Sequence, residues 1–493
     1  MPTVEEIINM GFDSHQSGKF AEAENAYKEA LTIDSENAEV FNLMGVLKLQ
    51  QNDPETAISW VEKAVKRKPC EYFYETLFQA YIRGRKYEEI VSYSDDILKN
   101  YSKSFSLLFN IALAYKNLNK NQKAIEFYER ALKIDPSSYQ GWFNLAHVYS
   151  IEAQYKNAVS ALKICNKLKP NDKETQYFLS IALMQTRNYD KALKLFESRL
   201  CRETAVLLQN KTYPHLASLD RLWKGENIKD KTIFVYYEAG FGDVIMFSRF
   251  LPLLKKKCKK LVFYPQRPLV PLFEQNGLGV DELIDGFIPE QNMDFDVHAP
   301  LLSLPYLLKL NGNKIFESPE GYLGANEELA EEYRKKYFDN DLIKIGIKWQ
   351  GNTSIEQDRV IPAEKFAPLI KTEGTKFYSF QTFEGSEDLA KLTDKYDITD
   401  IGKDLVDFGQ TAAALVNLDL VICNDTSLAH LAGALGIPCI VMVPYEVNWR
   451  WHDNLNKCDW YDSVKLFRQK AIGDWDGVFD EVGEFLQKAV KRK

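Results

Sequence analysis

A small side chain recurs through the first 200 residues at a nearly fixed spacing. Ala23, Ala57, Ala124, Ala158 and Ala192 each hold the fourth place of a similar stretch: FAEAENAYKEALTID from Phe20, PETAISWVEKAVKRKP from Pro54, NQKAIEFYERALKIDP from Asn121, YKNAVSALKICNKLKP from Tyr155 and YDKALKLFESRL from Tyr189. Three of the four intervals between them are 34 residues, and the fourth is 67, one residue short of two periods. The skipped unit is YETLFQAYIRGRKYEEIVSYSDDIL, with Ile90 at the small position, so six units are present. Periods of roughly 20–50 residues restrict a chain to stacked arrays, because one unit cannot bury its apolar face alone.

Each unit reads as two amphipathic helices. In the fourth, Leu108, Ile111, Ala112 and Tyr115 share one face at helical spacing, as do Ala124, Tyr128 and Ala131 in its second helix. Pro69, Pro136 and Pro170 end second helices, since proline cannot continue the hydrogen-bond ladder. The pattern resembles the tetratricopeptide repeat up to about Leu200. The third unit departs most: its weak small positions predict looser packing, and its one-residue deletion predicts a bend there.

Composition narrows the rest. The hydrophobic fraction of 45% and charged fraction of 27% are ordinary for a soluble globular chain. No run approaches the roughly 20 apolar residues that span a bilayer, so no transmembrane segment is expected. MPTVEEIINMGFDSHQ lacks the basic region and apolar core of a signal peptide. Seven cysteines, an odd number with no C-x-x-C pair, suit reduced thiols and a cytoplasmic location. A net charge of −8 argues against a nucleic-acid partner, and six histidines without an H-x-x-x-H pair give no metal signal.

From Lys231 the pattern changes to alternating short β-rich runs and helices. KTIFVYYE, KLVFYP and FDVHAP belong to a first cycle. IKIGIKWQ, TKFYSFQ, ITDIG, DLVICND and IPCIVMVP belong to a second. ANEELAEEYRKKYF separates the two cycles. Such a rhythm predicts parallel sheets with helices on both faces, and two cycles predict two Rossmann-like lobes with a cleft between them.

Ligands of such sheets bind where strands end and helices begin. Three loops of this kind stand out. Ala239-Gly240-Phe241-Gly242-Asp243 carries two glycines that suit tight turning and close approach of a ligand. Asp243 reads either as a helix cap or as a general base. Gln350–Ile361 holds Arg359, whose guanidinium either grips a phosphate or pairs locally with Asp358 or Glu356. Asn424–His430 opens a helix whose free N–H groups and positive dipole end suit a diphosphate. Asp425, Thr426 or Ser427 is its cap, and His430 lies one turn in. Trp349, Trp449 and Trp451 are candidates for stacking on a sugar or base, or for packing. Arg450 is a candidate substrate contact or cation–π element, and Glu238 could orient an acceptor.

Gly242-Asp243-Val244-Ile245 with Pro252, Arg359-x-x-Pro362 and Asp425-Thr426-Ser427-Leu428-Ala429-His430-Leu431-Ala432 occur in this order. The set resembles the heptosyltransferase-like (family 9-like) GT-B glycosyltransferases. More closely, it resembles bacterial proteins that fuse tetratricopeptide repeats to such a module. Trp349-x-Gly351-Asn352, Asn448-Trp449-Arg450-Trp451 and Leu466-Phe467-Arg468-Gln469 strengthen that match. The resemblance implies an α plus α/β multidomain chain, a tetratricopeptide α-solenoid followed by a two-lobed Rossmann-like GT-B fold. The expected division is repeats over 1–200, a connector over 201–230, an acceptor-side lobe over 231–325, a linker over 326–342, and a nucleotide-sugar lobe over 343–493 ending in a helix that crosses the lobes.

The resemblance also assigns roles. Asp243 is the base, with Gly240 and Gly242 in the glycine loop. Arg359, Asp425, Thr426, Ser427, Leu428 and His430 bind the donor. Trp349, Gly351, Asn352 and Arg450 are candidate substrate contacts. No metal or cofactor is implied, and transfer would invert the anomeric centre. The repeats would recruit a protein acceptor. The alternatives are a glycan or lipid-linked acceptor with repeats used for assembly, and a non-catalytic adaptor. A chain starting near Lys211 is expected to keep donor binding and lose the protein acceptor.

Overall fold

A computed structural model describes residues 2–201, 221–286, 294–351, 357–452 and 457–491. Most of the expected connector, together with Asn352 and Glu356, lies outside them. Contacts divide the chain into Met1–Asn171 and Asp172–Lys493.

The first unit is five helical hairpins, and a sixth of the same kind opens the second unit. First helices begin at residues 4, 38, 71, 105, 139 and 173, so every interval is 34 except the 33 between the second and third. The missing residue therefore lies in the loop before the third hairpin, not inside it. Asn37, Ser104, Ser138 and Asp172 each cap a first helix by accepting a backbone N–H three residues on. The turn inside each hairpin places one residue in the left-handed region, at Gly18, Asn52, Arg85, Asn119, Ala153 and Arg187. For the two arginines and the alanine this costs about 1–2 kcal/mol each.

Ala23, Ala57, Ala124, Ala158 and Ala192 are fully buried. In the second hairpin the facing position is small too: a Cβ on Gly45 would lie 2.1 Å from Val61 Cγ2 and 3.3 Å from the Ala57 carbonyl. The third hairpin fills the same space differently. Its Ile90 and Phe78 are fully buried, and the Phe78 ring lies 5.9 Å from that of Tyr93. Larger side chains thus occupy the small positions without loosening the core. What yields is the second helix, which is split at Tyr93 into Tyr87–Ser92 and Ser94–Asn100.

The second unit holds two sheets. The first contains β1 (Ile228–Tyr236), β2 (Cys258–Tyr264), β3 (Glu282–Leu283) and β4 (Val297–Pro300) in the order β3-β2-β1-β4. The second contains β5 (Ile343–Lys348), β6 (Thr375–Ser379), β7 (Ile398–Asp400), β8 (Leu420–Asn424), β9 (Cys439–Val443) and β10 (Val464–Arg468) in the order β10-β9-β8-β5-β6-β7. Every named pair is parallel. That explains the unbroken apolar runs: all five residues of β9 are buried, as in a sheet covered on both faces. β3 and β10 were not expected as strands. β3 is two residues long, and β10 sits inside a stretch singled out only for its motif.

Strand order reverses beside β5 and beside β1, so the loops leaving β5 and β8, and that leaving β1, open at switch points where ligands bind. The final helix, Trp475–Val490, buries Trp475, Val478, Phe479, Val482 and Leu486 in one cluster with Ile345, Ile347 and Phe366 of its own lobe. The helix expected to cross the lobes closes the second one instead.

Candidate active site

β1 ends in four buried residues, Ile233 to Tyr236, and the chain then turns sharply. The left-handed residue of the turn is Ala239, with φ of 64°, while Gly240 has ordinary extended backbone. Gly240 caps the helix Phe241–Ser248, and Asp243 is its third residue. The Asp243 Oδ2 accepts the Gly240 N–H at 3.2 Å. Its Oδ1 accepts from Arg450 Nε at 2.8 Å and from Arg450 Nη2. Asp243 is therefore not the cap residue itself. It supports the helix start from the third position and carries a cation on its other oxygen.

Gly242 is a glycine because of a neighbour. A Cβ there would lie 2.6 Å from His430 Cδ2 and 3.4 Å from Ser427 Cα. The glycine loop of the first lobe thus rests on the first turn of the helix Ser427–Ala434 in the second. That contact brings two of the three expected loops together.

The third loop joins through Arg359. Its Nη1 lies 2.9 Å from Asp425 Oδ2, and its carbonyl accepts from Asn424 Nδ2 at 2.8 Å. Among the described residues, a carboxylate at the end of β8 thus pairs with Arg359. Asp425 is 5% exposed, and its Oδ2 faces Arg359. Thr426 caps the helix without a side-chain hydrogen bond to it. The backbone N–H groups of Ser427 and Leu428 open that helix, with the positive end of its dipole behind them. Gly351 borders the same place: a Cβ on it would lie 3.2 Å from Thr426 Cγ2.

Two expected contacts are core residues instead. Trp349 is fully buried and donates from Nε1 to the Gly385 carbonyl at 3.1 Å. Its place directly after β5 turns it inward, so it does not stack on a substrate. His430 stacks on Trp451 with ring centroids 5.0 Å apart, and its Nδ1 lies 3.1 Å from the Tyr461 hydroxyl. Burial, reinforced by Arg450, Arg249 and Arg359, holds it well below the ordinary 6.5. It is packed as a neutral ring between Trp451 and Tyr461.

Arg450 is neither exposed nor ready for substrate alone. Besides Asp243 it donates from Nη1 to Asn448 Oδ1 at 2.6 Å, and its guanidinium lies 4.7 Å from the Trp449 ring centroid.

Sequence reasoning missed Lys348 at the end of β5. Its Nζ donates to the Phe380 carbonyl and to Thr382 Oγ1, each at 3.2 Å. Burial pushes its ammonium down to about 8 from 10.5. Between those values the unfolded chain binds more protons than the folded one, so stability rises with pH across that window, and the burial penalty is complete below it. Lys348→Met is expected to stabilise the fold by about 2 kcal/mol at pH 7, with the gain shrinking as pH approaches 10.5. Denaturant melts at both pH values check this, and a gain that grows with pH contradicts it.

Comparisons with known proteins follow this geometry. Residues 14–73, 105–138 and 127–160 match tetratricopeptide-repeat families. Residues 334–444 match glycosyltransferase family 9 (heptosyltransferase), a span that includes Arg359 and the Asp425–Ala434 segment. The chain is 22% identical to protein FlbA of Caulobacter vibrioides, over 96% of this chain and 82% of FlbA. Among solved structures, the glycosyl transferase family 9 of Veillonella parvula covers 53% of this chain and 91% of its own, at 17% identity and a TM-score of 0.40. PilF of Pseudomonas aeruginosa covers 43% and 92%, at 16% identity and a TM-score of 0.35.

Proposed function

We propose that the chain is a glycosyltransferase that moves a sugar from a nucleotide-sugar donor to an acceptor hydroxyl by metal-independent, inverting transfer. Carrying this reading is the meeting of the glycine loop with the Ser427 helix start, inside a unit whose residues 334–444 match glycosyltransferase family 9. The donor diphosphate is placed at the Ser427–Leu428 N–H groups beside Arg359. Helix dipole and guanidinium would offset charge developing on the leaving group. Asp243 would take the acceptor proton. A carboxylate has about four lone-pair sites. Gly240 and Arg450 fill three on Asp243, which leaves one for the acceptor hydroxyl.

The repeats support a protein acceptor, since a stack of hairpins presents an extended surface to a polypeptide. One observation favours a second reading, a sugar-nucleotide-binding adaptor without turnover: Arg450 already engages the base. Comparing donor binding with turnover in Asp243 variants separates the two.

Arg359→Ala is expected to weaken donor binding by about 10- to 150-fold, the loss of a charge-assisted pair worth about 1.5–3 kcal/mol. Titration calorimetry with the donor reads this directly. Unchanged affinity would remove Arg359 from the donor site.

A further inference from the structure

The sixth hairpin is a repeat by sequence, yet it belongs to the unit that holds the candidate active site. Its helices, Lys173–Gln185 and Tyr189–Phe196, lead into a turn at Glu197–Cys201 that contains Arg199. Arg199 is 8% exposed, and its whole donor fork is engaged. Nε and Nη2 grip both oxygens of Glu238. Nη2 also reaches Ser303 Oγ at 2.8 Å, and Nη1 reaches Glu197 Oε1 at 2.8 Å and the Phe196 carbonyl at 3.3 Å. Glu238 in turn accepts the Leu302 N–H at 3.2 Å. The next residues are the left-handed Ala239 and then Gly240, whose N–H is held by Asp243. Fixing Glu238 therefore fixes the entry to the loop that aims Asp243.

The same hairpin holds the other half of the Asp243–Arg450 pair. Gln185 Nε2 donates to the Val447 carbonyl at 3.0 Å, in a buried place. The Tyr189 hydroxyl lies 2.6 Å from His452 Nε2. The Phe196 ring lies 6.2 Å from that of Trp449, over which Arg450 is laid. Residues on either side of Arg450 are thus tied to the hairpin that ties Glu238.

We propose that the sixth hairpin is a positioning part of the active centre, in which Arg199 and Gln185 hold the two loops that bring Asp243 and Arg450 into register. The inference rests on the transferase reading for its effect on turnover, but not for the ties themselves. Arg199→Lys keeps the charge and loses the fork. Gln185→Met keeps the shape and removes one hydrogen bond, which guards against a variant that fails to fold.

Both variants, made in the full chain, are to be compared with wild type by hydrogen exchange and by release of nucleoside diphosphate from UDP-, ADP- and GDP-sugars, with water taking the sugar. All measurements are made well below each variant's melting point. The expected result in Arg199→Lys is faster exchange in both 238–243 and 447–452. In Gln185→Met it is faster exchange in 447–452. Turnover is expected to fall at least tenfold in each, with the Kd for the nucleoside diphosphate within twofold of wild type. Unchanged exchange in those segments, or turnover within twofold of wild type, overturns the proposal. Faster exchange in a chain whose wild type releases nothing from any donor supports the ties and counts against the transferase reading, so the two failures are distinguishable.

Discussion

Asp243→Asn is expected to lower transfer by about 10²–10⁴-fold, the usual contribution of a positioned general base, while donor affinity stays within about twofold. The two properties separate because the groups do. In the proposed reading the donor diphosphate sits on Arg359 and the Ser427 helix start, and Asp243 touches neither of those groups through its own hydrogen bonds. Asparagine keeps an oxygen that can accept from Gly240 or Arg450, so the helix start survives. Removing the charge opposite Arg450, whose side chain is 14% exposed, costs stability, on the order of 1–3 kcal/mol. Stability alone therefore does not discriminate between a cap and a base. Turnover at saturating donor does, because a structural carboxylate would leave the rate per folded molecule unchanged. Transfer within tenfold of wild type would return Asp243 to a purely structural role.

The second large effect concerns where the chain can be cut. A chain beginning at Asp172 is expected to fold and bind donor, and one beginning at Lys211 is not. The sequence alone predicts a tolerated cut near Lys211; the place of the sixth hairpin in the second unit argues against it. Removing it takes away Tyr189, packed at 5.1 Å against Phe316 and 6.0 Å against Trp460, and Phe196 against Trp449. Each large apolar side chain exposed costs about 1.5–3 kcal/mol. Glu238 and Asp459 also lose the arginines that face them, Arg199 and Arg187. Each keeps one partner, the Leu302 N–H and His452 respectively, so each lost pair adds on the order of 1 kcal/mol. The sum reaches the 5–15 kcal/mol that holds a typical domain together. Circular dichroism melts of the two chains test this. Equal melting points would show that the hairpin is dispensable to the second unit.

The sequence made the repeat stack legible because the constraint is local and periodic: each small position lies in the second helix of its own hairpin. All strands but β3 and β10 were legible because they are short apolar runs between helical stretches. The site was legible in part. Asp243, Arg359 and the Ser427 helix start lie at strand ends, where topology predicts ligands. What failed depended on packing between segments distant in sequence. Trp349 and His430 have polar atoms and favourable positions, and only the folded chain shows each of them buried. Gly242 reads as room for a tight turn and a close ligand, and it is a contact surface for His430. Arg199 carried no signal, since its partner Glu238 is supplied by another element, and Lys348 shows its burial only once β5 is flanked by β6 and β8.

The most direct measurement of the central claim is a thermal-shift panel of nucleoside diphosphate sugars on the full chain and on Arg359→Ala. A ligand bound only by the folded state stabilises it by about 2.7 kcal/mol at a hundred times its Kd. One donor is expected to raise the melting point of the wild-type chain by on the order of 4 °C at that concentration. The same concentration should stabilise Arg359→Ala by only about 0.4 kcal/mol if its affinity falls a hundredfold. A panel in which no nucleoside diphosphate sugar shifts the wild-type chain, or in which the Arg359→Ala chain shifts as far, would contradict a donor site built on Arg359 and the Ser427 helix.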